Sequence, residues 1–242
     1  MATERLDVLL VQRGLTPSRE KAQRVIMAGA VFSGGTRLTK ASQKVLVEAP
    51  LEVRASDRYV GRGGHKLEAA LTAFSIDPCG WTCLDVGAST GGFTDCLLQH
   101  GAVRVYALDV GHGQLAWKMR EDPRVVVMEH CNARHLRRED LPEKVRLAVV
   151  DVSFISLTLV LPPLAGVLSH GGVIVALIKP QFELSRDEVG RGGVVRDDAA
   201  HQRAVDKIRR WADGAGWHWG GVIPSPLTGA EGNREFLCLL RP

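Results

Sequence analysis

The sequence predicts an α/β protein, an open seven-stranded mixed sheet flanked by helices, with a small α+β domain ahead of it. Three observations predict it. From residue 80 onward, apolar strand-like runs alternate with helix-like stretches, the pattern of a largely parallel sheet. The first of these runs leads into a glycine-rich turn, Leu84-Asp-Val-Gly-Ala-Ser-Thr-Gly-Gly-Phe-Thr-Asp95, and such sheets hold ligands at joints of this kind. The first 58 residues follow another pattern and carry ten Lys/Arg against six Asp/Glu, while the remainder holds twenty-one of each, so the whole net charge of +4 lies in the first quarter of the chain. With 242 residues there is room for one large domain and one small one. The expected division is residues 1–58, a flexible basic linker at 59–64, and a large domain at 65–242.

In the small domain, Leu6, Val8, Leu9 and Leu10 belong to a first helix that ends at Gly14. Ser18 caps a second helix with an apolar stripe at Ala22, Val25 and Ile26, closed by Gly29. Short strands are expected at Ala30–Phe32, Lys44–Val47 and Leu51–Arg54, with Gly34-Gly35 between the first two. Arg19, Lys21 and Arg24 lie near one face of the second helix, with Arg37, Lys40 and Lys44 beyond it. A basic module on a neutral domain points to a polyanion partner. On charge alone, a solvated basic face accounts for it equally well.

Gly61, Gly63 and Gly64, with Arg58, Arg62, His65 and Lys66, make the join between domains glycine-rich and basic. A helix follows from His65 to Phe74. Strands are expected at Trp81–Val86, Val103–Asp109, Val125–Met128, Leu147–Asp151, Val173–Lys179, Trp217–Ile223 and Glu235–Leu240. Helices fall between them, one opening near Gly91, one at Phe154–Leu168 interrupted by Pro162-Pro163, and one at Asp197–Ala212. The late strand pair, separated by Pro224-Ser-Pro226, suits the variant of the Rossmann fold in which the last strand inserts antiparallel between the fifth and sixth.

Gly87, Gly91 and Gly92 let a backbone approach a ligand closely. Their spacing is not the Gly-x-Gly-x-x-Gly that seats a pyrophosphate on a helix N-terminus. Asp85, two positions before Gly87, would repel a pyrophosphate and suits a cationic, amino-acid-bearing ligand. S-adenosylmethionine carries both an α-ammonium and a sulfonium. Asp109 ends the next strand, where a ribose diol would be held. A tight strand–helix turn without a ligand is the plainer alternative.

Asp85, Asp109, Asp151 and Lys179 each lie at or next to the carboxyl end of an expected strand, the edge where open parallel sheets bind ligands. An antiparallel last strand brings its start, Glu235, to the same edge. Singly, each has a bland role: a turn cap for Asp109 or Asp151, a surface lysine at Lys179, an edge ion pair at Glu235. Their shared edge argues for chemistry. Amine methylation on bases uses an Asp/Asn-Pro-Pro-aromatic turn after the fourth strand, and here that turn reads Asp151-Val-Ser-Phe154. Cytosine C5 methylation needs a cysteine nucleophile, and none follows the fourth or fifth strand. A ribose hydroxyl must lose its proton as it attacks the methyl group. Lys179, emerging from an apolar strand near a second ammonium at Lys66, is suited to take it. Asp151 would orient Lys179, and Glu235 would hold Lys66 or the hydroxyl.

Arg5-Leu-Asp-x-x-Leu10, Ser18-Arg-x-x-Ala22 and a Gly29-x-Val31 turn resemble the S4 RNA-binding domain over residues 5 to about 53. Phe32-Ser33-Gly34 departs from the Val-Asn-Gly common there. The order Lys66, Asp151, Lys179, Glu235 resembles the Lys-Asp-Lys-Glu tetrad of FtsJ-type ribose 2′-O-methyltransferases. With the S4 module, the chain resembles the TlyA family, often labelled hemolysin A. The segments that carry this are Gly61-Arg-Gly-Gly-His-Lys-Leu67, the glycine turn, Asp151-Val-Ser-Phe-Ile-Ser156, Lys179-Pro-Gln-Phe-Glu183, Gly190-Arg-Gly-Gly-Val-Val195 and Gly232-Asn-Arg-Glu235.

The resemblance implies a Rossmann-like methyltransferase that uses S-adenosylmethionine on cytidine 2′-hydroxyls of ribosomal RNA, in the large subunit and in some members also the small, with an effect on capreomycin and viomycin sensitivity. It implies catalytic roles for Lys66, Asp151, Lys179 and Glu235. For the cofactor it implies contacts from Asp85, Gly87, Ser89, Thr90, Gly91 and Gly92, and from Phe93, Asp109, Asn132 and Asp151. RNA contacts are expected from Arg5, Arg19, Lys21, Arg24, Lys40 and Lys44, and from Arg62 in the join. The implied partner is ribosomal RNA within ribosomal subunits.

Cys79, Cys83, Cys96, Cys131 and Cys238 form no Cys-x-x-Cys pair and have no histidines at zinc spacing. Scattered and odd in number, they read as reduced thiols of a cytoplasmic protein without a metal site. The N-terminus lacks a signal-peptide core, and the longest apolar tract is broken by prolines and too short to span a bilayer. Two other classes remain: a nicotinamide dehydrogenase, which would need the other glycine spacing, and a non-catalytic S4 RNA-binding or hemolytic protein, which would tolerate loss of Lys179.

Overall fold

The computed structural model describes residues 2–53, 58–190, 192–229 and 231–242. They fall into two compact units, Met1–Arg58 and Tyr59–Pro242.

In the first unit, strand β1 (Thr3–Arg5) runs into helix α1 (Leu6–Gln12), followed by α2 (Arg19–Met27) and strands β2 (Val31–Ser33), β3 (Thr36–Leu38), β4 (Lys44–Leu46) and β5 (Leu51–Val53). The Ser18 hydroxyl accepts the Lys21 amide at 3.2 Å, which starts α2 where the sequence predicts. Leu6 and Leu10 of α1, Ala22 and Ile26 of α2 and Val31 of β2 form one core. Strand β2 is central to a three-stranded sheet, order β3-β2-β5, and β1 pairs with β4. Periodicity does not reveal β1 and β3, because three polar-rich residues carry no alternation; their partners, Leu46 for Thr3 and Phe32 for Arg37, define them. Arg54, expected to end β5, and residues 55–57 lie outside the described residues.

The second unit begins with helix α3 (Gly63–Ala73). Then come β6 (Thr82–Val86), α4 (Gly92–Gln99), β7 (Arg104–Leu108), α5 (Trp117–Arg120), β8 (Val125–Met128), β9 (Val145–Val150) and α6 (Leu157–Val167). Strand β10 (Leu168–Ile178), α7 (Pro180–Glu183), α8 (Asp198–Gly214), β11 (His218–Pro224) and β12 (Phe236–Arg241) complete it. The sheet order is β11-β12-β10-β9-β6-β7-β8, with β12 antiparallel to both neighbours and β6 through β10 parallel to one another. Apolar side chains of α6 and α8 cover one face and those of α3 and α4 the other. The central strands are therefore apolar on both faces, as in a sheet covered on both sides.

Two expectations need correction. Residues 59–62 are not a free spacer: Tyr59 is buried, the Val60 amide donates to Asp95 Oδ2 at 2.9 Å, and α3 starts at Gly63. The reason lies at Gly64, where a Cβ would stand 2.2 Å from the Tyr59 ring; the glycine provides close packing there, not looseness. Helix α6 begins at Leu157, not Phe154, and continues through Pro162 and Pro163. Phe154 lies before it with φ +63°, in the left-handed region.

Candidate active site

The sheet topology brings the ends of β6, β7, β9 and β10 and the start of β12 to one edge, where two cavities open. The first, about 440 Å³, is lined by Gly87, Ser89, Asp109, Asn132 and Asp151, with an apolar wall that includes Val110, Ile155 and Val160. Gly87 has φ +84°, and a Cβ on it would meet the Asp151 carbonyl oxygen at 2.3 Å. Only glycine lets the turn lie against the end of β9. Asp109 closes the opposite side, accepting the Ser89 amide at 2.8 Å and the Gly111 amide at 2.7 Å. A carboxylate has lone pairs beyond these two, which suits a ribose diol, and the apolar wall suits a flat ring system. Asn132 also accepts the Arg134 amide at 3.1 Å, capping a short 3-10 turn. The residues present fit S-adenosylmethionine.

Not every residue of the glycine turn reaches this cavity. Asp85 is 0 % exposed. Its carboxylate accepts the Thr94 hydroxyl at 2.6 Å and lies beneath the turn, where the sequence reading had it facing a cationic ligand. Burial pushes the Asp85 carboxyl up to about 7 against the Thr94 hydrogen bond, and the nearby Asp151 charge adds to the rise. Phe93 is a core residue of the α3–α4 face. Gly91 and Gly92 serve packing: a Cβ on Gly91 would meet Leu115 at 2.8 Å, and one on Gly92 the Gly64 nitrogen at 3.0 Å. Thr90 is exposed, its hydroxyl beside Gly61. None of these five lines the cavity.

The second cavity, about 360 Å³, is lined by Lys66, Lys179, Glu235 and Arg62, and shares Ser153 and Phe154 with the first. The four residues of the expected tetrad resolve into two ion pairs. Lys66 Nζ lies 2.5 Å from Glu235 Oε2, both side chains buried. Lys179 Nζ lies 2.6 Å from Asp151 Oδ1 and donates to Ser153 Oγ at 2.9 Å. Asp151 thus lines the first cavity while its partner Lys179 lines the second. Arg62, in this unit, donates to the Thr228 carbonyl at 2.9 Å.

Sequence reasoning missed three side chains here. Phe154 is 90 % exposed at the boundary of the two cavities, its ring 5.0 Å from that of Phe182. A left-handed φ on an aromatic residue is uncommon and clusters at functional sites. The third is Glu183, buried, which accepts the Leu157 amide at 2.7 Å, the Ser156 hydroxyl at 2.5 Å and Lys207 Nζ at 3.0 Å. It joins the loop after β9, which carries Asp151, to the turn after β10, which carries Lys179. These residues sit inside the motifs already noted, but nothing local marks a glutamate as a brace.

In the first unit, Arg5 and Arg19 both reach Asp7, at 3.0 Å and 2.9 Å. Lys21, Lys40 and Lys44 are exposed, and Arg24 pairs with Glu20 at 3.5 Å on the surface.

An FtsJ-like methyltransferase family model matches residues 59–241, and an S4 domain model matches residues 4–50. The chain is 50% identical over 239 residues to a 16S/23S rRNA (cytidine-2'-O)-methyltransferase TlyA of Mycobacterium tuberculosis, covering 98% of this chain and 89% of the relative. A solved structure from Streptococcus thermophilus, provisionally named a hemolysin, matches at TM-score 0.76 and 44% identity, covering 100% of this chain and 89% of that one. An S-adenosylmethionine-dependent methyltransferase from Mesorhizobium loti shares the fold at TM-score 0.57 and 17% identity, over 75% of this chain and 100% of that one.

Proposed function

The chain belongs to the FtsJ-like methyltransferase family, and from that premise we propose that it transfers a methyl group from S-adenosylmethionine to a cytidine ribose 2′-hydroxyl in ribosomal RNA. The observation that carries this reading is the Lys179–Asp151 ion pair, whose two members face adjoining cavities. One cavity suits the methyl donor and the other the acceptor. The name of the Mycobacterium tuberculosis relative supports the substrate.

Asp109 and Asn132 hold the cofactor, with the backbone at Gly87 and Ser89. Bound there, S-adenosylmethionine supplies an electrophilic methyl group. Asp151 and Ser153 fix the Lys179 amine at the 2′-oxygen. Lys179 takes the hydroxyl proton as the oxygen becomes a nucleophile. The buried Lys66–Glu235 pair positions the ribose from the other side of the cavity. Phe154 offers an exposed ring on which the cytosine stacks. The S4 unit binds structured RNA through its basic side chains.

Mapping of 2′-O-methyl groups on RNA of both ribosomal subunits, from cells with and without the gene, tests the substrate. Lys179→Ala should abolish transfer in single turnovers while cofactor and RNA still bind, because the lysine acts in the transition state. Lys179→Arg should fail as well, since arginine stays protonated; activity in that variant would reduce Lys179 to a positive charge. If Lys179→Ala still supported every effect of the gene, the protein would be a non-catalytic RNA binder. For the hemolytic alternative, no helix among the described residues is long and apolar enough to cross a membrane.

A further inference from the structure

Among the described residues of the first unit, the most completely buried acid lies among basic side chains. Asp7, in the first turn of α1, is 0 % exposed. Its Oδ1 accepts Arg5 Nε at 3.0 Å; its Oδ2 accepts Arg5 Nη2 at 3.1 Å, Arg19 Nη2 at 2.9 Å and Gln23 Nε2 at 3.1 Å. Four donors thus converge on the carboxylate, three of them on Oδ2. The Arg5 contact holds the Asp7 carboxyl well below the usual range despite burial, so it stays ionised.

The arginines are not buried with it. Their side chains are 42% and 56% exposed. Arg5 commits two of its N–H groups to Asp7 and Arg19 commits one. Because their Nη2 atoms share one oxygen, these lie within about 6 Å of each other, with further N–H donors on both forks. Two guanidinium forks held this close suit one phosphate with charge-assisted contacts.

We infer that Asp7 is a positioning residue that holds Arg5 and Arg19 side by side to grip a phosphate of the RNA backbone. The inference rests on the reading of this unit as RNA-binding. On charge alone, removing an acid beside a phosphate site tightens RNA binding. If the acid aims the arginines, removing it weakens binding although the protein becomes more positive.

The experiment measures binding of the full-length protein to ribosomal RNA purified from cells lacking the gene, across a salt series. Asp7→Asn should weaken binding about tenfold, as expected for losing charged hydrogen bonds, with the salt slope unchanged because no cation is removed. Arg5→Lys and Arg19→Lys keep the charge but lose the fork; each should weaken binding severalfold at the same slope. These two alter exposed side chains, so the test stands even if Asp7→Asn fails to fold in a melting experiment. Wild-type or tighter affinity in Asp7→Asn, or wild-type affinity in both lysine variants, overturns the inference. Unchanged affinity and slope in Arg5→Ala and Arg19→Ala would remove the premise itself, the RNA-binding role of these arginines, and the inference with it.

Discussion

Gly87→Ala tests whether the glycine turn and the end of β9 are built against each other. The added Cβ would stand 2.3 Å from the Asp151 carbonyl oxygen and 3.0 Å from its carbonyl carbon. Close carbon–oxygen contacts begin near ~3.3 Å, so the turn or the end of β9 must move by about 1 Å. The φ of +84° adds about 1–2 kcal/mol for any residue with a Cβ. Together these place the cost near ~3 kcal/mol, a loss of roughly 6–12 °C in melting temperature for a unit of this size. The movement falls on Asp151, whose carboxylate orients Lys179 at 2.6 Å. A misplacement of about 1 Å at reacting groups costs on the order of a hundredfold in rate. Single-turnover transfer of a labelled methyl group to ribosomal RNA, beside a melting curve, reads both effects. Transfer within about threefold of wild type with an unchanged melting temperature would refute the contact and the coupling drawn from it.

Asp85 has a folded-state carboxyl at about 7 against an ordinary 3.8. Between those values the native state holds a proton that the unfolded chain has released, so stability falls as pH rises through that window and then levels off. Asp85→Asn should flatten that slope and raise stability at pH values above the window by up to about 4 kcal/mol, seen in melting temperature against pH; a slope like that of wild type would contradict the assigned burial. Glu183→Gln keeps the size of the brace but loses its charge, and should cost about 2 kcal/mol in denaturant unfolding. It should slow methyl transfer at least tenfold with cofactor affinity kept; transfer at the wild-type rate would show that the loop after β9 needs no brace.

Much of this was legible in the chain. Apolar runs such as Val173–Ile178 and the capping Ser18 are local signals, and local signals survive in a one-dimensional reading. The insertion of β12 between β10 and β11 was expected from the Rossmann variant that the run of strands and the proline-rich break resemble. The meeting of Asp151, Lys179 and Glu235 at one edge was readable because strand ends in such sheets share that edge; Lys66, on helix α3, joined them only through the likeness to the Lys-Asp-Lys-Glu tetrad. Composition did not say which face of a residue meets the ligand. Asp85 and Asp109 are the same residue type at neighbouring strand ends, yet their fates differ. Asp85 is still inside β6, in register with Ala107 on one side and Val149 on the other, so its carboxylate is enclosed. Asp109 stands one residue beyond the end of β7 and reaches the cavity.

The glycines show the same division. The sequence by itself determined that close approach was possible at Gly87, Gly91 and Gly92, because only a missing side chain permits it, while Gly64 read as a flexible joint. What approaches was decided by tertiary structure: the Tyr59 ring at Gly64, the Asp151 carbonyl at Gly87, the Leu115 side chain at Gly91 and the α3 backbone at Gly92. Hydrophobic period and capping act over a few residues and are written in order along the chain. The partners of a buried carboxylate or a bare Cα lie tens of residues away, and only the packed sheet brings them together.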